Sequence, residues 1–205
     1  MKITFREIFG IIIVVQSFLI YIPYIYQTIK GKLRPQPITW VIACLSGGSI
    51  GLILMFNHAG PGAWGYLFTA FFTLILSVVA FSTYYKSTKI SRSDIVFLGL
   101  AILSLALWLL SRDLAVISVI LLSISSIFGA VPTLTKVWKS PRSESLYVWA
   151  MFLSQAVFGI IATVNLDFVN TFRRAVMIAI NFATISTMIY RRRRVKPDAA
   201  SIHPK

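Results

Sequence analysis

The chain has 205 residues, 57% of them hydrophobic and 13% charged, with 20 Lys and Arg against 6 Asp and Glu. About a quarter charged is usual for a soluble domain, and one core at this size cannot hide so much apolar surface, so a soluble globular fold is excluded. A net charge of +14 points to nucleic acid in a soluble protein; here the basic residues stand at the ends of apolar runs and report orientation in a bilayer, with no nucleic-acid partner.

Lipid cannot hydrogen-bond a backbone, so membrane spans are helices or closed barrels. The apolar runs approach 20 residues and lack period-2 alternation, which predicts helices. The spans are 8–29, 38–56, 64–85, 95–110, 114–138, 147–166 and 172–190. The first ends polar and aromatic, from Tyr21 to Gln27, with no small-residue cleavage site, so it reads as a retained helix and not a signal peptide. The second holds Ser46, Gly47, Gly48, Ser49 and Gly51. Gly47 and Gly51 share a face and admit another backbone, or line a cavity with polar backbone. Cys44, the single cysteine, can form neither an intramolecular disulfide nor a metal cluster, and reads as a small buried side chain.

Asn57 to Gly62 is a loop, and the third span carries Phe68, Phe71 and Phe72. The fourth span is the shortest and leucine-rich, and Arg112-Asp113 closes it. A single helix over 95–138 would be about 66 Å long, twice a hydrocarbon core, so a hairpin is predicted there. Ser154 and Gln155 are polar in the sixth span, and Asn181 and Thr184 in the seventh. Four arginines, Arg191 to Arg194, then open a polar tail, a stop-transfer anchor against anionic lipid.

The connections after spans one, three and five and the tail hold 15 Lys and Arg; the opposite side holds five, Lys2, Arg6, Arg112, Arg173 and Arg174. The positive-inside bias places the C-terminus in the cytoplasm and the N-terminus outside, in a plasma or inner membrane. Arg173 and Arg174 are on the side that should lack positive charge. The simplest account is a snorkelling pair satisfied by Asp167; the alternative is an anion-attracting outer vestibule.

An internal repeat runs at an offset of 109: Pro23 falls on Pro132, Lys30 on Lys139 and Trp40 on Trp149. Both halves place their basic connections on the same side, so an odd span must separate them. The expected fold is all-α, seven transmembrane helices in a 3+1+3 arrangement of parallel repeats: 1–92, a linker helix in 93–113, 114–190, and the tail 191–205.

With Pro23-Tyr24, Lys30-Gly31-Lys32 and Trp40 in one half, and Pro132-Thr133, Lys139-Ser140, Ser143-Glu144-Ser145-Leu146 and Trp149 in the other, the chain resembles the PQ-loop/SWEET superfamily of membrane transporters over nearly its whole length. The family's defining Pro-Gln is Pro-Tyr in one half and Pro-Thr in the other; Pro35-Gln36 lies in a loop. Sugar carriers also open the second helix of each repeat with proline; Pro37 is one residue off that register, and Tyr147 replaces it in the second half.

The resemblance implies a small-solute carrier working by alternating access, for a sugar or similar polar metabolite. Each mid-helix proline removes a backbone donor, so Pro23 and Pro132 are hinge candidates, against the plainer reading of static kinks. In the family an asparagine on the third helix of each repeat faces the solute. That role carries to Asn181 with Thr184 on its face, and, by an offset of 104, to Ser77. Gln155 maps at 109 onto Ser46, so both halves present polar groups at similar depth.

Glu7, Asp94, Asp113, Glu144, Asp167 and Asp198 all lie outside the mid-span regions, and His58 and His203 sit in a loop and the tail. This favours downhill passage over proton coupling, and predicts no catalysis, no metal and no cofactor. Other readings are a vitamin or nucleoside carrier of the same plan and a non-transporting receptor or scaffold of the superfamily. The oligomeric state is left open.

Overall fold

The computed structural model describes residues 3–31, 37–84, 91–142 and 144–194, with backbone alone for Tyr84 and Pro132. The basic positions Lys2, Lys32, Arg34, Lys86, Lys89, Lys196 and Lys205, together with Pro35-Gln36, Ser143, Asp198 and His203, lie outside the described residues.

Among the described residues seven α-helices follow one another: α1 (Phe5–Ile29), α2 (Pro37–Phe56), α3 (Trp64–Tyr84), α4 (Arg92–Leu110), α5 (Ala115–Lys139), α6 (Leu146–Ala162) and α7 (Phe168–Arg194). Short 3-10 turns at Gly60–Ala63 and Arg112–Leu114 lead into α3 and α5. There is no strand among the described residues. All but α6 are long and apolar enough to cross a bilayer, the architecture of a multi-pass membrane protein.

Local chemistry sets the helix ends. Thr4 and Glu7 form a capping box on α1, and Ser91 and Asp94 form one on α4, each satisfying two otherwise unpaired N–H groups. Ser111 is extended, ends α4, and accepts from the Asp113 N–H at 3.3 Å, which fixes the hairpin expected there. The sixth helix departs from its reading. It stops at Ala162, not 166, and with 17 residues it, not α4, is the shortest. Thr163 turns extended, and the Val164 N–H donates to the Ala59 carbonyl at 3.0 Å, so the chain leaves the helix to join the α2–α3 turn. Helix α1 runs unbroken through Pro23, and α5 through the Pro132 backbone.

Packing neighbours form a closed circuit. Helix α3 lies between α1 and α2, and α7 between α5 and α6. Helix α4 packs on α2 and α5, and α1 on α6. Ser104 and Ser118 clasp α4 to α5, each hydroxyl donating to the other's carbonyl at 2.9 Å. One apolar cluster sits at the end of the bundle that carries the N-terminus: Ile53 and Leu54 of α2, Trp108 of α4, Val119 and Leu122 of α5, Val169 of α7. A second joins Ile20 and Tyr21 of α1 to Phe72 and Leu76 of α3, with the Tyr21 and Phe72 rings stacked 5.5 Å apart. Phe71, in contrast, is 55% exposed on the outside of the bundle.

Close approach in α2 occurs at Gly51, where a Cβ would lie 2.8 Å from Leu67 Cδ2 and 3.2 Å from the Leu67 backbone nitrogen. The glycine thus lets α3 come within backbone distance, the packing role expected of small residues in spans.

Candidate functional site

The residues expected to meet a solute are spread over four helices. Asn181 lies near the middle of α7 and is 1% exposed. Its amide donates from Nδ2 to the Met177 carbonyl at 2.7 Å, while Oδ1 is buried and receives no hydrogen bond. Thr184, one turn on, is buried and donates to the Ile180 carbonyl at 2.8 Å. Ser77 is buried in α3 and donates to the Thr73 carbonyl at 2.7 Å. Thr73 in turn donates to the Thr69 carbonyl at 2.8 Å, so α3 carries a stripe of back-bonded hydroxyls at four-residue spacing. Such bonds leave the hydroxyl oxygen free to accept. Ser46 is half-buried in α2.

Gln155 is committed elsewhere. Its Nε2 donates to the Ser17 hydroxyl at 3.1 Å and to the Ile13 carbonyl at 3.3 Å. Beside it, Ser154 accepts from Gln16 Nε2 at 2.9 Å. Two adjacent polar residues of α6 thus lie along two adjacent polar residues of α1. Among the described residues no hydrogen bond joins any two of Asn181, Thr184, Ser77, Gln155 and Ser46. Gln16, Ser17 and Thr73 escaped the sequence reading. The signal for the first two was a pair of adjacent polar side chains in mid-span, matched by Ser154-Gln155.

At the opposite end of the bundle, Lys136 pairs with Glu144 at 2.8 Å. Arg192 of α7 donates to the Pro141 carbonyl at 2.9 Å and the Glu144 carbonyl at 2.8 Å. Arg191 donates to the Trp138 carbonyl and lies over its ring. The first two arginines of the expected anchor therefore hold the α5–α6 turn. Trp40 packs between Tyr21 and Tyr24.

The arginine pair differs from the sequence reading. Arg173 and Arg174 do not snorkel to Asp167; they are buried, 7% and 3% exposed. Arg173 donates to the Leu122 carbonyl of α5, and Arg174 to the Gly62 carbonyl of the turn before α3. The Arg174 guanidinium also stands 4.9 Å from the Tyr66 ring centroid. Asp167 is already occupied: Oδ1 accepts from the Asn170 N–H at 2.8 Å, and Oδ2 from Asn57 at 2.8 Å and Asn170 at 3.1 Å.

An apolar cleft of about 350 Å3 lies between α1 and α3, lined by Ile11, Val14, Trp64 and Phe68. It touches none of the expected solute residues. Among the described residues no three His, Cys, Asp or Glu side chains gather as a metal site would require. No protein-family model, curated protein or solved structure matches the chain.

Proposed function

We propose that this protein is a small-solute carrier, built from two parallel three-helix units joined by α4, on the plan of the PQ-loop/SWEET superfamily it resembles. The observation that carries the reading is the order of neighbours. In each unit the third helix sits between the first two: α3 between α1 and α2, α7 between α5 and α6. Helix α4 stands outside both units and packs on α2 and α5. Two like units with an odd connector between them form the framework on which alternating access operates, with solute held near mid-membrane at their interface.

The reading puts Asn181 at the solute. Its Oδ1 is buried without a donor, and a buried polar atom in a span is costly unless something meets it. Thr184 and, across the interface, Ser77 and Ser46 supply further hydroxyls. Gln155, held to α1, acts at the α1–α6 seam and changes partner only when the units move. Pro23 and Pro132 serve as flexible points within continuous helices. The basic end faces the cytoplasm of a plasma or inner membrane.

Counterflow in proteoliposomes tests the reading, with a panel of sugars, nicotinamide and thiamine-like ligands. Wild-type protein is expected to exchange at least one of them, and the one exchanged separates sugar from vitamin carriage. Asn181→Ala is expected to lower saturable uptake about ten- to a hundredfold, the worth of one or two buried hydrogen bonds, while its thermal unfolding stays close to wild type. No counterflow with any member of the panel would favour a non-transporting receptor.

A further inference from the structure

Among the described residues, two neighbouring arginines at the start of α7 are buried charges with unpartnered donors. They lie about 8–9 Å along the helix axis from Phe168, and both are more than nine-tenths buried. A guanidinium carries five N–H donors and no acceptor, and stays charged under all ordinary conditions. One nitrogen of each is bonded to a carbonyl. The Nε of each is buried with no acceptor at all. Among the described residues no carboxylate pairs with either, and Asp167, the nearest along the chain, spends its oxygens on Asn57 and Asn170.

Burying one charge without a counter-charge is expensive, and two of like sign on adjacent residues compound the cost. Two carbonyl bonds, a hydrogen bond from Arg173 to the Tyr66 side chain and one aromatic face at 4.9 Å offset part of it, but none of them carries a full negative charge. The surroundings are also shaped around the guanidinium. At Gly159 of α6 a Cβ would overlap Arg174 Nη1, so that glycine makes the room the side chain occupies. Tyr66 lies beside both arginines: its ring faces Arg174, and its phenol oxygen is hydrogen-bonded to Arg173, which leaves its O–H proton able to turn toward an anion.

We propose that Arg173, Arg174 and Tyr66 bind a small monovalent anion, a carboxylate group or a halide ion, at the end of the bundle that carries the N-terminus. The anion supplies the missing counter-charge, accepts the unused guanidinium N–H bonds, and joins α7 to α3. The flat fork of a guanidinium fits a carboxylate with two parallel bonds, which ranks that class first. The inference stands apart from the carrier reading, because binding is read without flux.

The test uses the purified full chain in detergent at constant ionic strength, with acetate or chloride replacing a bulky sulfonate. The expected result is a melting temperature that rises with anion concentration in a saturable way. A response to acetate assigns a carboxylate, and a response to chloride a halide. No saturable rise with either overturns the proposal. Arg173→Gln and Arg174→Gln are each expected to abolish the rise, whereas Asp167→Asn keeps it; a rise that survives both arginine changes places the anion elsewhere and overturns it equally. Should the Gln variants fail to fold, Arg174→Lys keeps the charge without the fork. Its half-saturating concentration is expected to increase at least tenfold, and an unchanged value counts against the site.

Discussion

Single atoms decide much of this protein. Gly51 and Gly99 are both helical glycines in apolar spans, yet a methyl group means opposite things at the two. At Gly51 it would press on the Leu67 side chain and backbone nitrogen of α3; at Gly99 nothing lies within 4 Å. Overpacking at a tight contact costs about 1–3 kcal/mol, whereas Ala in place of Gly on an open helix face stabilises by up to about 1 kcal/mol. Gly51→Ala is therefore expected to lower, and Gly99→Ala to preserve or raise, the midpoint of thermal unfolding in detergent. Equal midpoints would mean that α2 and α3 do not meet as closely as Leu67 requires. The close approach at Gly51 was legible in the sequence, because small residues four apart can only share a helix face. The burial of Arg173 and Arg174 was not. Sequence shows a nearby carboxylate, Asp167, but not that Asn57, 110 residues earlier, has already engaged it.

Between helices, the seam of α1 and α6 joins two pairs of adjacent polar side chains. Gln16 and Ser17 face Ser154 and Gln155 through bonds of 2.9 Å and 3.1 Å. Interhelical hydrogen bonds in membranes couple by about 0.6 kcal/mol on average. A double-mutant cycle with Ser17→Ala and Gln155→Leu, read by unfolding free energy, is expected to show a coupling of about that size; additive effects would deny the bond. Each polar pair was visible in the sequence, but its partner was not. The 109 offset led from Gln155 to Ser46 on α2, since an internal repeat maps equivalent positions and does not say which neighbours touch. The end of α6 was obscured for a related reason. Val164 and Leu166 keep the apolar run going, while the helix is stopped by a backbone bond to Ala59 that no local pattern encodes.

For the molecule as a whole, the number of crossings governs everything else. Among the described residues six helices meet the length and hydropathy expected of a span, and α6, with 17 residues, falls short. At 1.5 Å per residue it covers about 26 Å against a hydrocarbon core of roughly 30 Å. A shortfall of a few ångströms costs only fractions of a kcal/mol per ångström, met by local thinning of the bilayer or by flanking residues reaching outward. Its neighbours also argue for a crossing. Helix α6 joins the N-terminal end of the bundle at Thr163, which sits against Gly62, and the opposite end at Glu144, which pairs with Lys136. Helices α1 and α7 flank it along the way. Seven crossings put the two chain ends on opposite faces, whereas six would put them on one. Tags at each terminus, probed with an impermeant reagent in sealed vesicles, are expected to label from opposite sides, the C-terminal one from the cytoplasm. Labelling of both from the same side would leave α6 lying in one leaflet, and the proposed pair of parallel three-helix units would fall with it.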